Sequence, residues 1–346
     1  MTDRRTLLKG VAATGGLAAT GLCTLPALAA KTRAEIIEAA KKEGGLVWYE
    51  AFTRAELNAI AKPFLDLYPF VKRFEGIEVP AAQKQARFVQ ESMAGGPTTD
   101  IFLSSSAGLN AFVKRGLVID GEWDALGIEK SDIKTPTPQL IMYTTAVYVG
   151  VYNPNKVKEA ELPKSWDDFL DPKWKGRTGA WARSVMYNVM SNAWGEDKTR
   201  QYVRKLAALE PRLYKGTFQV AQAVGAGEVD IGISSYDAST RVILKGAPVK
   251  QFNLDPTPLS LLYGCVTKHG KNPNTARLFL DWLASDKGAV AFENVTHRGN
   301  HLVPTTKTSK LIEGRKLVYF KAGDEVAQSA RLNKNETEFS RTLAGR

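Results

Sequence analysis

Short apolar runs alternate with segments of helical spacing along most of this chain. That alternation narrows the architecture more than any single motif. "GLVWYEAFT" (45–53) reads as a strand entering a polar loop, and "RAELNAIAKPFLDLYP" (54–69) follows with helical spacing interrupted by Pro63. "TDIFLSSSAGLNAFVKRG" (99–116) reads as a strand over Ile101–Leu103, a serine-rich turn and a helix ending at Gly116. "GTFQVAQAVGAGEVDIGISSYDASTRVILKG" (216–246) gives a helix, a strand over Val229–Ile233, a serine loop and another helix. "NPNTARLFLDWLASDKGAVAFEN" (272–294) is two helices in succession, and "PKSWDDFLDPKWKGR" (163–177) a turn and short helix. Such alternation argues for α/β with parallel sheets. The first helix carries its own punctuation: Thr32 to cap, Glu35 three residues on, Gly44 to stop.

Two longer β-rich runs, near 143–152 and 259–267, break this rhythm. A chain of 346 residues has room for about two domains, yet no low-complexity linker or internal repeat separates them. The two long runs are therefore the expected crossings between two lobes.

The N-terminus reads as an address. Arg4 and Arg5 stand before Leu7, Leu8 and Lys9, and a weakly apolar stretch rich in Gly, Ala and Thr ends in Ala27-Leu28-Ala29. A membrane span needs about 20 strongly apolar residues. A charged start, an apolar middle and a small-x-small end describe a cleavable signal peptide, here of twin-arginine type over residues 1–29, with cleavage near Ala29 and a periplasmic product. Cleavage removes Cys23 and leaves Cys265 as a lone thiol, so no disulfide or zinc framework is expected. The net charge of +11 comes from scattered Lys and Arg without a nucleic-acid motif, which reads as a solvated basic surface and no nucleic-acid partner.

Motifs for catalysis are thin. Ser131–Lys134 matches Ser-x-x-Lys without its companion elements. His297 and His301 have metal-ligand spacing, but Gly299 and Asn300 intervene, so a loop after a helix is expected. Gly225–Asp230 precedes a strand and ends a helix, so it is no dinucleotide loop. What remains is a set of polar loops at strand ends: Tyr49–Thr53, Ser104–Gly108, Ala182–Asn188 and Ser234–Ser239. Ligands of open α/β sheets bind outside the carboxyl ends of strands, and helix N-termini there favour anions.

With these stretches in hand, the chain resembles periplasmic solute-binding proteins of ABC importers, and within them the branch of ferric-iron and small-anion binders. "AAKKEGGLVWYEAFT", "TDIFLSSSAGLNAFVKRG", "VYVGVYNPNKV", "LPKSWDDFLDPKWKGR", "VGAGEVDIGISSYDA" and "KNPNTARLFLDWLASDKGAVAFEN" carry the likeness. It implies a type II two-lobed α/β fold, its lobes joined by crossing strands around a ligand cleft that closes by a hinge. The implied division is 30–145 and 261–310 for lobe 1, 146–260 for lobe 2, and C-terminal helices over 311–346. A small-molecule ligand and an inner-membrane ABC permease are the implied partners of a monomeric, non-enzymatic protein without a cofactor.

Carried over by position, Glu50, Phe52, Thr53, Ser104, Ser105 and Ser106 line the first lobe, and Arg183, Ser184, Ser235, Tyr236 and Asp237 the second. Iron binders of this branch use adjacent tyrosines, whereas Tyr236 here stands between Ser235 and Asp237. Iron would have Glu50, Tyr236 and Asp237 as donors. Serine hydroxyls with the fork of Arg183 suit an organic anion better. A cation stacked on Trp48, Tyr49 or Trp181 is a third option. Two other functions stay open: a periplasmic receptor for a sensor kinase, and a hydrolase or lyase pairing Asp237 with His297 or His301.

Overall fold

The computed structural model describes residues 31–345. The twin-arginine stretch, Cys23 and the cleavage position near Ala29 lie outside the described residues. None of the described helices is long and apolar enough to cross a membrane.

The first lobe opens with α1 (Arg33–Glu43), β1 (Gly45–Glu50), α2 (Arg54–Leu67), β2 (Arg73–Glu78), α3 (Ala81–Met93), β3 (Ile101–Ser105), α4 (Ser106–Lys114) and β4 (Val118–Ile119). Thr32 and Glu35 form the expected capping box on α1, and Gly44 ends it at φ 61°. Helix α2 runs through Pro63 without a break. Its Leu57, Ile60, Ala61 and Phe64 are buried, and that continuous apolar stripe outweighs one lost hydrogen bond. Strand β3 extends through Ser105, two residues beyond the sequence expectation, and α4 starts at the next residue with no turn between.

Strand β5 (Ile141–Tyr152) then enters the second lobe. There the "PKSWDDFLDPKWKGR" segment forms short 3₁₀ turns in place of a helix. Next come β6 (Thr178–Trp181), α5 (Val185–Trp194), α6 (Glu196–Ala208), β7 (Arg212–Tyr214), α7 (Thr217–Ala226), β8 (Ile231–Ser235), α8 (Tyr236–Ile243) and β9 (Lys250–Phe252). Strand β8 lies two residues later than the sequence suggests, because Gly227 at φ 73° and the following turn take up Val229 and Asp230. Strand β10 (Thr257–Thr267) returns to the first lobe, followed by α9 (Pro273–Leu283), α10 (Asp286–Thr296), α11 (Lys307–Leu311), β11 (Leu317–Val318), α12 (Ala322–Ala327) and α13 (Ser329–Leu343).

The main sheet path is β2-β1-β3-β10-β5-β8-β6-β7. Parallel pairs β1–β2, β1–β3, β6–β8 and β6–β7 sit at its two ends. Antiparallel β10 and β5 join them: β10 pairs with β3, β5 with β8, and the two with each other, with a register shift at Leu262/Tyr263. The long β runs are thus the strands shared by both lobes. Each lobe has its own aromatic core, one around Trp48, Phe64, Phe279 and Phe292, the other around Trp166, Phe169, Trp174, Tyr202 and Phe339. The C-terminal helices divide between the lobes, α12 on α4 and α13 on α5 and α6.

A carboxylate fastens the opening helix to α9. Glu43 accepts from the backbone N–H groups of Asn274 (3.0 Å) and Thr275 (2.8 Å) in the first turn of α9, and from both side chains. Glu43→Ala removes a helix cap with its dipole contribution, so a loss of about 1–2 kcal/mol is expected. Urea unfolding checks this; an unchanged midpoint would show that solvent replaces the cap.

Candidate functional site

The carboxyl ends of β1 and β3 lead into α2 and α4, those of β7 and β8 run the opposite way into α7 and α8, and the two lobes treat these helix starts differently. In the first lobe the helix starts satisfy themselves. Thr53 forms a capping box with Glu56 on α2, and the Ser105 hydroxyl accepts from Gly108 N–H (3.3 Å) on α4. In the second lobe α7 follows Gly216 and α8 follows Ser235, and neither has a side-chain cap. The Ser235 hydroxyl is turned instead to Thr217 Oγ1 (3.0 Å). First-turn N–H groups of α7 and α8 are therefore left for another acceptor.

A cavity of about 230 Å³ opens where these entrances face the first lobe. Phe52, Thr296 and Arg298 line it from one side; Thr217, Phe218, Asp237, Ala238 and Arg241 line it from the other. Two ion pairs span it. Arg241 reaches Glu56 at 3.2 Å, with its guanidinium 5.9 Å from the centre of the Phe52 ring. Arg298 Nη2 donates to Asp237 Oδ2 at 2.6 Å.

Arg298 is held in place by its own loop. Helix α10 ends with His297 in the left-handed region, φ 60°. The loop then runs along β5: Thr144 donates its hydroxyl to Gly299 O (2.9 Å), as does Thr145 N–H (2.9 Å). Gly299 is needed here for close approach, since a Cβ would fall 2.3 Å from Glu293 Oε1. Glu293 uses that oxygen to accept from Thr308 N–H (2.7 Å) and its hydroxyl (2.6 Å). Burial alone would lower the Arg298 pKa, but the Asp237 carboxylate outweighs it and keeps the guanidinium above its usual value. Burial raises the phenols of Tyr143 and Tyr148 beside it, so both are neutral donors at ordinary pH.

Of the residues singled out in the sequence, Phe52 and Asp237 line this cavity. Glu50 is almost buried, paired with Lys84 of α3 (2.8 Å) and accepting from Ala51 N–H (2.9 Å). Ser104 belongs to the β3–β10 ladder opposite Tyr263. Ser106 is fully buried and bonded to Glu325 of α12, away from the cavity lining. Ser184 is also fully buried, its N–H donated to Ser340 Oγ of α13 (3.0 Å). Arg183 extends to Glu336 of the same helix (2.7 Å). Tyr236 opens α8, its phenol raised by burial and then by nearby Glu293.

The other proposed sets fare unevenly. Trp48 is a core residue packed on Phe279 at 5.4 Å, and the Tyr49 ring is already covered by the Arg87 guanidinium at 4.3 Å, so neither is open to stack a ligand cation. Trp181 stays half-buried with Arg183 5.5 Å from its ring centre. Neither His297 nor His301 hydrogen-bonds Asp237; the His301 ring bonds Thr145 Oγ1 at 2.7 Å. Glu50 and Asp237, two of the three candidate iron donors, each carry a cationic partner. Sequence reading passed over Arg241 and Arg298. Arg241 lies four residues after Asp237 and so on the same helix face, a spacing that was available to read. Arg298 sits inside the "HRGNH" loop, where nothing local shows that the chain folds back over β5.

The profile of the bacterial extracellular solute-binding protein family matches residues 96–320. A "Fe(3+)-binding periplasmic protein" of Serratia marcescens is 30% identical over 152 residues, 40% of this chain and 45% of that protein. The chain thus spans about half the length of the curated relatives it matches, 45% and 46%. Among solved structures, iron-bound HitA from Pseudomonas aeruginosa has a TM-score of 0.68 at 22% identity, covering 85% of this chain and 99% of that one. AfuA from Actinobacillus pleuropneumoniae, with exogenous fructose-6-phosphate bound, gives 0.66 at 20% identity over 85% and 98%. At such identities the likeness establishes the fold. With the profile spanning well over half of the chain, the protein belongs to the bacterial extracellular solute-binding family.

Proposed function

We propose that this chain is the periplasmic binding component of an ABC importer, taking a small organic anion into the interlobe cavity by hinge closure and handing it to a membrane permease. The observation that carries the reading is the convergence of Arg241, Arg298 and the uncapped starts of α7 and α8 on one cavity. Free helix N–H groups favour negative charge, and the guanidiniums add to this by sharing themselves between the ligand and their partners Glu56 and Asp237. The antiparallel pair β5–β10 supplies the hinge: β10 pairs with β3 of the first lobe, β5 with β8 of the second, and the two with each other. In this reading the lobe boundaries are those implied by the sequence, and Phe52, Thr53, Ser235, Tyr236 and Asp237 surround the ligand.

Ferric iron is the second reading, favoured by what the Serratia relative and HitA are said to bind. Against it, Glu50 and Asp237 must first give up Lys84 and Arg298 to coordinate a metal.

Thermal unfolding of dialysed protein separates the two. An anion present at 100 times its Kd is expected to add about 2.7 kcal/mol of stability. The panel is inorganic phosphate, phosphate esters, carboxylates, putrescine, and Fe³⁺ with and without citrate. Stabilisation by iron-free anions supports the proposal. A visible tyrosinate–iron band, with stabilisation only when Fe³⁺ is present, would replace it by the iron reading.

A further inference from the structure

The ion pair that closes the cavity is left half open. Arg298 and Asp237 share a single hydrogen bond, Nη2 to Oδ2. The other carboxylate oxygen, Asp237 Oδ1, is buried with no hydrogen-bond partner, and so is Arg298 Nε. Asp237 as a whole is only 7% exposed. An Arg–carboxylate pair of this kind ordinarily closes as a two-pronged fork, satisfying both positions. Here one acceptor and one donor of the same pair remain unspent, on two residues that line a cavity together with Arg241, Thr217 and Thr296.

Leaving a buried polar atom unpaired is costly, so these two atoms define what the bound molecule must bring. The group has to donate to Oδ1 and accept from Nε. An ionised carboxylate or a fully ionised phosphate ester accepts only; hydrogen phosphate can also donate, but it would set a second anion against Asp237. An ammonium donates only, and it would stand as a second cation beside Arg298. A hydroxyl does both and is neutral, which suits a carboxylate whose charge Arg298 already balances.

We infer that the ligand is a hydroxyl-bearing anion, its charged end taken by Arg241 and the open starts of α7 and α8, and a hydroxyl bridging Asp237 Oδ1 and Arg298 Nε. The inference rests on the proposed anion-binding role and adds the chemical class that the cleft selects. Asp237 is then a specificity-determining residue: it reads the uncharged part of the ligand, and it does so only because Arg298 orients and neutralises it.

Matched pairs of small probes test this on the unaltered protein by calorimetry: glycerol 3-phosphate against n-propyl phosphate, glycerate against propionate, and O-phosphoethanolamine against ethyl phosphate. The hydroxylated member is expected to bind about tenfold tighter than its deoxy partner in the phosphate or the carboxylate series, the scale of one well-made hydrogen bond to a charged group. Asp237→Asn and Asp237→Ala should erase that preference, while near-ultraviolet circular dichroism reports whether each variant is folded. Equal affinity within both hydroxyl pairs would overturn the inference and leave the anion reading standing. A preference for the ammonium probe over its partner, without a hydroxyl preference, would overturn it in favour of a zwitterion. Failure of every anion to bind would overturn the anion reading itself, and the inference with it.

Discussion

Arg298→Ala is expected to lower the unfolding free energy by about 3 kcal/mol, the low end of the range for removing one partner of a buried ion pair, because Asp237 is buried while the Arg298 side chain is 29% exposed. The cost arises at Asp237. Its side chain is 10% exposed, and Arg298 supplies the one hydrogen bond it has in the structure. Without the guanidinium that carboxylate is stranded between the lobes, beside neutral Tyr148. Removing both charges should restore much of the loss, because the pair together contributes far less than either group alone subtracts. Urea unfolding of Arg298→Ala, Asp237→Asn and the double variant measures this. A loss below 1 kcal/mol in Arg298→Ala would mean that water reaches Asp237 and the cavity is wetter than its geometry implies.

The second large effect depends on pH. His301 packs beside Tyr319, with ring centres 5.9 Å apart, and bonds Thr145 on the shared strand β5. Burial lowers its pKa from 6.5 to about 4. The unfolded chain therefore binds a proton that the folded chain refuses between these two values. The contribution of His301 is intact above pH 6.5 and is lost as pH falls through about 4. A depression of this size corresponds to about 3 kcal/mol at 1.36 kcal/mol per unit. Asp100, Asp281 and Glu325 are raised by burial and act with the opposite sign in acid. The quantity to read is thus the stability difference between wild type and His301→Asn. It should shrink by about 3 kcal/mol from pH 7 to below pH 4. A difference that stays flat would show the imidazole to be solvated.

Legibility in the sequence followed the range of the forces involved. Period and punctuation exposed α1, the stop at Gly44 and the two long crossing strands, since each depends on neighbours within a few residues. Pro63 misled because its local penalty was weighed without the apolar stripe that holds α2 against Phe279 and Trp282. The serines at strand ends were found as a class. Which of them face a cavity was not legible, because Ser106 and Ser184 are claimed by the C-terminal helices, more than 150 residues away in the chain.

The sequence by itself determined the α/β alternation, the lack of a low-complexity linker between the two long β runs and the family resemblance. These rest on composition, periodicity and turn chemistry, which are local. Only the tertiary structure decided the chemistry of the cleft. It set Arg298 from the loop after α10 against Asp237 at the start of α8, and Arg241 against Glu56. It also turned Arg183 to Glu336. Charge partners are chosen by proximity in a low-dielectric cleft, and that proximity is created by the fold returning through β10, not by spacing along the chain.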